Sequence, residues 1–248
     1  MNKIASFIPN FLTLMNLASG SLAAIFAIDG DLGRAAIFIF IAAGFDFLDG
    51  LAARALKAYS DVGRELDSLA DVVSFGVAPG MILLTIMEHA LFGENIALHK
   101  AGATSSEWIL LLAALLIPVF SAYRLAKFNI DTRQSVNFLG LPTPANAIFW
   151  ASLGLMSGFS GNEELLQLLF RPGNLLVAVI LTSLLLVSEI PMFSLKFSGF
   201  GFAENWYRYV FLAAAIILIL LSWVFAPALI ILLYISLSLS FYLLKVEI

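Results

Sequence analysis

Eight apolar runs, each about as long as a membrane is thick, limit the folds that this chain can adopt. A helix needs about 20 apolar residues to cross the hydrocarbon core, and backbone polar groups in that core must be paired within the chain. The runs lie at about residues 8–28, 34–56, 66–92, 107–127, 143–160, 174–190, 207–224 and 226–244. The sequence therefore predicts an all-α fold, a polytopic membrane helix bundle with about eight transmembrane helices.

The composition agrees with a membrane protein and excludes several other classes. Hydrophobic residues make up 61% of the 248 residues and charged residues 12%, whereas soluble domains are about 25% charged. The runs leave room for one compact bundle, so residues 1–248 are predicted to form a single integral-membrane domain. The chain has no cysteine, which excludes disulfides and thiolate zinc sites. It has no basic stripe, so no nucleic acid partner is expected.

The first run has a second interpretation, as a secretory signal. Lys3 would then be its basic region, and residues 19–21 would be the small residues of a cleavage site. The apolar run continues through Ile28, which favours a membrane span.

Lysine and arginine are divided unequally between the two sets of loops. Three lie on the side opposite the termini, namely Arg34, Lys100 and Arg171. Ten lie on the side of the termini, namely Lys3, Arg54, Lys57, Arg64, Arg124, Lys127, Arg133, Lys196, Arg208 and Lys245. Because basic residues collect in cytoplasmic loops, we expect an inner-membrane protein whose termini and hairpin 46–71 face the cytoplasm.

Four aspartates interrupt the second and third apolar runs, namely Asp46, Asp49, Asp67 and Asp71. Spacings of three and four residues put each pair on one helix face. An aspartate at the centre of a span costs about 2.5–3.5 kcal/mol on insertion scales. Helix capping, or pairing with nearby basic residues at the headgroups, would explain one such aspartate. Four on two helix faces favour a common site.

Carboxylates without histidine or cysteine are typical ligands of Mg²⁺ or Mn²⁺. Two divalent ions would neutralise the four carboxylates and leave coordination positions for phosphate oxygens. Gly50 and Gly63, each one turn from an aspartate, permit close approach of a helix or ligand. Arg54 offers a planar pair of donors for a phosphate, although a lone arginine at this depth is also typical of an interfacial anchor.

The pattern Asp46-x2-Asp49-Gly50-x2-Ala53-Arg54-x8-Gly63-x3-Asp67-x3-Asp71 resembles the motif of the CDP-alcohol phosphotransferase family at every fixed position. The resemblance implies a membrane enzyme that transfers a phosphoryl-bearing group from a CDP-linked substrate to an alcohol and releases CMP. It implies that the four aspartates hold two Mg²⁺ or Mn²⁺ ions, with Asp71 as general base. Gly50, Ala53, Arg54 and Gly63 would shape the CDP pocket. A six-helix core (1–200), a C-terminal helical pair (201–248) and a homodimer are also implied.

Four further segments resemble the integral-membrane phosphatidylserine synthases of that family. They are residues 9–20, 121–129 and 140–147, with a weaker similarity at 189–196. This resemblance implies CDP-diacylglycerol as donor, L-serine as acceptor and membrane lipids as surroundings. In the first segment, Asn10 and Thr13 are candidates to reach the nucleotide, and Asn10 is also a candidate helix cap.

The second of these segments contains the candidate acceptor-binding residues. Arg124 and Lys127 are predicted near the cytoplasmic end of the fourth span, where either could bind the serine carboxylate or a lipid phosphate. Both are also explained as basic anchors at the membrane surface. Asn129 is a candidate for contacting the amino group of serine, or it simply ends the helix.

Three alternatives remain open at this stage. Glycerol 3-phosphate or inositol phosphate as acceptor would require more than one cation, for which Arg124 and Arg133 are candidates. Intramembrane prenyl transfer would require a second aspartate cluster, but after Asp71 the sequence has only Asp131. A cation-coupled transporter would explain intramembrane carboxylates, but the sequence has no internal symmetry of the kind that transporters have.

Overall fold

The computed structural model describes residues 3–95, 102–131, 138–195, 199 and 201–245, and these residues are almost entirely helical. The described α-helices are α1 (Lys3–Ile28), α2 (Leu32–Ala55), α3 (Asp61–Val72), α4 (Ala78–Phe92), α5 (Ser105–Leu112), α6 (Leu116–Ile130), α7 (Thr143–Phe159), α8 (Glu163–Leu169), α9 (Pro172–Val187), α10 (Phe202–Ser222) and α11 (Ala226–Leu243). The predicted all-α membrane bundle is confirmed.

Two of the predicted runs contain helices of mixed type. A π-helical turn, Val73–Val77, joins α3 to α4, and a 3₁₀ turn, Ala113–Leu115, joins α5 to α6. Among the described residues, five helical stretches are long and apolar enough to cross a membrane, or up to six if α8 and α9, bent by 58°, form one span. One of the five, Glu204–Leu243, covers most of α10 and all of α11. Eight crossings therefore stay a prediction.

Several helices begin earlier than the apolar pattern predicts, because polar residues cap their first turns. The loops before these helices are therefore shorter than predicted. The third apolar run was predicted from residue 66, but α3 already begins at Asp61 because Ser60 Oγ accepts a hydrogen bond of 3.0 Å from the Gly63 amide and caps the helix. Thr104 and Glu107 form a capping box that starts α5. The short helix α8, inside a predicted connector, was not foreseen. Arg133, Lys100 and Lys196 lie outside the described residues.

A small antiparallel strand pair fixes the start of α7. It joins β1 (Phe138–Leu139) to β2 (Pro191–Met192). Between β1 and α7, Gly140 has φ +73°, and a Cβ there would lie 2.7–2.9 Å from three backbone carbonyl oxygens of residues 185–188. Only glycine fits this position, which brings the polar first turn of α7 against the end of α9.

Two apolar clusters hold the helices together. The larger one lies among α1, α2, α4, α6, α7 and α9, and it includes the fully buried Trp150 and Phe75. The smaller one is aromatic and joins β2 to α10 and α11, where the Tyr234 hydroxyl donates to the Phe193 carbonyl at 3.0 Å. Many large apolar side chains are exposed, as expected for a surface that faces lipid.

Helix α7 packs closely against α2 and α4 because Gly154 has no side chain. A Cβ at Gly154 would lie 2.9 Å from the Leu32 carbonyl oxygen and 3.2 Å from Ile82 Cγ2. Small residues at such contacts let membrane helices approach one another.

We expect Gly154→Ala to lower the free energy of unfolding by about 1–3 kcal/mol, since the added methyl group overpacks a contact that includes backbone. The measurement is the melting temperature of the purified protein in detergent. The control is Gly44→Ala, because a Cβ at Gly44 meets nothing within 4 Å. Equal melting temperatures for the two variants would contradict the prediction.

Candidate active site

Three of the four aspartates converge where α2 approaches α3. Carboxylate oxygens of Asp46, Asp49 and Asp67 lie within 4.8 Å of one another. Oδ1 of Asp67 is buried and has no hydrogen-bond partner among the described residues. A buried acceptor without a donor, beside two other carboxylates, suits a hard divalent cation with oxygen ligands. These three residues therefore fit a metal site.

Asp71 lies one turn beyond Asp67 on α3 and is only 8% exposed. It interacts electrostatically with Asp46, Asp67 and Asp49, but it is not one of the three carboxylates that lie within 4.8 Å. Its Oδ1 accepts a hydrogen bond of 3.2 Å from Asn16 Nδ2. Asp71 is thus beside the cluster, and its role as fourth metal ligand stays a prediction.

Helix α1 supplies hydrogen bonds that orient the aspartates. The Thr13 hydroxyl donates to Asp49 Oδ2 at 2.6 Å and lies 3.1 Å from the Pro9 carbonyl. Asp49 is only 6% exposed, so this donor matters for a carboxylate that has lost most of its water. The alternative that Asn10 caps α1 is wrong, because α1 begins at Lys3.

A cavity of about 620 Å³ lies beside the carboxylates, where α2 ends and α3 begins. Its walls include Asp49 and Asp67, so the cavity reaches the carboxylate cluster. They also include every residue that was predicted to contact the nucleotide, namely Asn10, Thr13, Gly50, Ala53, Arg54 and Gly63. The volume lies in the range of small-molecule sites, about 300–1,000 Å³.

The two motif glycines in the cavity wall differ in how closely other groups approach them. A Cβ at Gly63 would lie 2.9 Å from both Asn10 Oδ1 and Ser60 Oγ, so glycine lets α3 approach α1. A Cβ at Gly50 would lie 3.5 Å from Arg54 Nη1. The Arg54 guanidinium therefore folds back over Gly50 into the cavity wall.

The predicted acceptor-binding residues do not share one environment. Arg124 is 7% exposed, its Nη1 donates to Thr143 Oγ1 at 3.1 Å, and its Nε is buried without a partner among the described residues. Its guanidinium interacts electrostatically with Asp71. Lys127 pairs with Glu189 at 3.6 Å, and the exposed Asn129 donates to Ser68 at 2.8 Å. Only Arg124 of these three is buried.

Two buried polar residues were not assigned to the site from the sequence. Asn16 donates to Asp71, and Asn146 is fully buried on α7. Asn10, Thr13 and Asn16 recur every three residues in an otherwise apolar run, which predicts one polar face on α1. Asn146 has no such periodic signal, but it lies within residues 140–147, one of the segments that resemble the phosphatidylserine synthases.

We expect Thr13→Val to weaken the binding of Mn²⁺ about tenfold, because loss of a partner that orients a metal-binding carboxylate typically costs this much affinity. The measurement is an Mn²⁺ titration followed by electron paramagnetic resonance on protein in detergent. Thr13→Ser keeps the hydroxyl and should bind Mn²⁺ like the parent protein. Unchanged affinity in Thr13→Val would contradict a supporting role for this hydrogen bond.

Known proteins are similar to this chain well beyond the aspartate motif at residues 46–71. A CDP-diacylglycerol–serine O-phosphatidyltransferase of Bacillus subtilis is 37% identical over 139 residues, which are 56% of this chain and 70% of that protein. An archaetidylserine synthase of Methanothermobacter thermautotrophicus is 35% identical over 162 residues, 64% of this chain and 63% of that protein.

A third relative covers more of this chain. It is a CDP-diacylglycerol–serine O-phosphatidyltransferase of Mycobacterium leprae, 35% identical over 198 residues, 75% of this chain and 57% of that protein. The chain thus spans less than two thirds of the length of the archaeal and mycobacterial relatives. The family model of CDP-alcohol phosphatidyltransferases matches residues 6–242, nearly the whole chain. The protein belongs to the CDP-alcohol phosphatidyltransferase family.

Proposed function

We propose that the protein transfers the phosphatidyl group of CDP-diacylglycerol to the hydroxyl of L-serine, giving phosphatidylserine and CMP. The observation that carries the proposal is the cluster of Asp46, Asp49 and Asp67 at the wall of a cavity large enough for a nucleotide. Membership of the family supports the use of a CDP-linked donor. The names of the similar proteins support serine as acceptor.

The four motif aspartates are proposed to hold two divalent ions, Mg²⁺ or Mn²⁺. The unpartnered Oδ1 of Asp67 and the short distances within the cluster support this. When bound, such ions supply positive charge that offsets the diphosphate and the departing CMP. Thr13 and Asn16 keep Asp49 and Asp71 in fixed orientations through their hydrogen bonds.

The cavity is proposed to bind the CDP part of the donor. Arg54 presents two parallel N–H groups to a phosphate, and its guanidinium lies beside Gly50. Ala53, Gly63 and Asn10 line the space for the nucleoside, with Thr13 at its inner end beside Asp49. The acyl chains of the donor extend sideways into the lipid between spans.

Asp71 is the proposed general base. It takes the proton of the serine hydroxyl while the serine oxygen forms a bond to the phosphorus that carries diacylglycerol, and the bond from that phosphorus to the CMP oxygen breaks. Arg124 binds the serine carboxylate near Asp71. Lys127 and Asn129 contribute at the surface, where each already contacts a protein group.

The proposal also includes the membrane, the orientation and the oligomeric state of the enzyme. The excess of basic residues on one side supports an inner-membrane protein with both termini and the cavity facing the cytoplasm. Family resemblance supports a homodimer, a catalytic core at residues 1–200 and an accessory helical pair at 201–248. The aromatic cluster between β2 and α10–α11 is consistent with a pair that packs onto the core as a unit.

We expect membranes containing the protein to release CMP only when CDP-diacylglycerol, serine and Mg²⁺ or Mn²⁺ are all present. The measurement is CMP release with each component left out in turn, and with glycerol 3-phosphate or inositol phosphate in place of serine. Equal turnover with either phosphate acceptor would contradict the assignment of serine. Membranes without the protein give the background rate.

We expect Asp71→Asn to lower CMP release about a hundredfold or more, because loss of a general base typically costs at least that much rate. The variant should remain folded, since the amide occupies the same space and its oxygen can still accept the hydrogen bond from Asn16. The control is Asp29→Asn, an exposed aspartate in the turn between α1 and α2. Activity of Asp71→Asn close to that of the control would refute the role of Asp71.

A further inference from the structure

Asn146 carries a buried amide that nothing in the described structure satisfies. The side chain has no exposed surface, and neither Nδ2 nor Oδ1 has a hydrogen-bond partner among the described residues. About nine in ten buried polar groups in proteins are hydrogen-bonded, and an apolar residue of similar size would fill the same space without this cost. A fully buried asparagine of this kind is suited to contact a ligand.

The helix register brings Asn146 to the depth of Asp71. Ile82 on α4 packs against Gly154 on α7, and the chain connectivity makes these two helices run in the same direction. Ser74 precedes Ile82 by eight residues, and Asn146 precedes Gly154 by the same number. Ser74 lies in the π-helical turn Val73–Val77 that follows Asp71, and α7 contacts this turn, so we place Asn146, on the first turn of α7, close to the level of the proposed base.

Arg124 reaches the same level from a third helix. Ser121, one turn earlier on α6, donates to the Phe75 carbonyl at 3.5 Å, and the Arg124 guanidinium interacts electrostatically with Asp71. Arg124 also donates to Thr143, which precedes Asn146 by one turn on α7. The unpartnered Nε of Arg124 and the unpartnered amide of Asn146 therefore belong to one buried polar region beside Asp71.

We infer that Asn146 is a specificity-determining residue whose amide oxygen accepts a hydrogen bond from the ammonium group of the acceptor, while Arg124 binds the acceptor carboxylate. The inference rests on the proposed function and adds the group that distinguishes an amino acid from other hydroxy acids. An unpartnered donor on Arg124 and an unpartnered acceptor on Asn146, on two helices joined by the Arg124–Thr143 hydrogen bond, match the two charged groups of a zwitterion. Asp71 is then left to face the hydroxyl.

The test is a serine titration of Asn146→Leu at saturating CDP-diacylglycerol, with CMP release as readout. We expect the KM for serine to rise at least tenfold, as for the loss of a hydrogen bond to a charged group. The KM for CDP-diacylglycerol should change less than about twofold, because the nucleotide cavity does not include Asn146. The melting temperature should not fall, since leucine removes an unsatisfied buried amide.

The matched control is Ser183→Ala, because Ser183 on α9 is 1% exposed and its Oγ also lacks a partner among the described residues. This variant should keep the KM for serine. A second comparison uses 3-hydroxypropionate, which has the hydroxyl and carboxylate of serine but no ammonium group. Its inhibition constant against serine should be the same for the parent protein and Asn146→Leu.

An unchanged KM for serine in a folded Asn146→Leu variant would overturn the inference and leave the proposed function intact. If this variant does not fold, Asn146→Ala is measured in the same way, with the same two outcomes. A parent protein that releases CMP with CDP-diacylglycerol but with an acceptor other than serine would overturn the proposed acceptor and this inference together. The omission experiments with the parent protein distinguish these two failures.

Discussion

The arrangement of the helices depends on how the bundle accommodates four carboxylates among apolar spans. Each carboxylate loses water on burial, and like charges at short distance repel one another strongly where the dielectric is low. The cluster of Asp46, Asp49 and Asp67 is therefore tolerable only with compensating charge or donors. Helix α1 supplies part of this through Thr13 and Asn16. It is the one helix that donates side-chain hydrogen bonds to both halves of the motif among the described residues, and this explains why a helix outside the motif belongs to the site.

The π-helical turn Val73–Val77 connects the carboxylate site to the rest of the bundle. It begins two residues after Asp71, and π turns in proteins are frequent at functional sites. The Ser74 hydroxyl donates to the Asn16 carbonyl at 3.0 Å, and the Phe75 carbonyl accepts from Ser121 at 3.5 Å. The turn thus contacts α1 on one side and α6 on the other. Because Asn16 orients Asp71, and α6 carries Arg124, this single irregular turn sets the positions of the proposed base and of the buried cation relative to each other.

The sequence predicted the local features of the site and left the contacts between distant segments unresolved. The helix spacing of Asp46, Asp49 and Asp67 predicted that they share a site, because this depends on helix periodicity, and the structure brings these three carboxylates together. Helix periodicity could not predict which residues Asn16 and Asn146 lie beside, because each meets helices that are distant in the sequence. The strand pair and α8 were missed for a related reason. Strands of two residues are too short to show the alternation of apolar and polar residues that predicts a strand. Helix α8 is too short to stand out from the polar connector in which it lies.

The open cavity beside the aspartates and the buried surroundings of Arg124 differ in charge and exposure, and this difference favours a small acceptor without net charge. The donor side is an open cavity of about 620 Å³ with exposed basic residues at its rim, which suits a large, doubly charged diphosphate. Arg124 does not line that cavity, and it is the one buried lysine or arginine among the described residues. A phosphorylated acceptor would bring two negative charges into a region with one buried cation, and burial without full compensation is costly. A small zwitterion brings no net charge, so its two ends can be matched by one guanidinium and one amide.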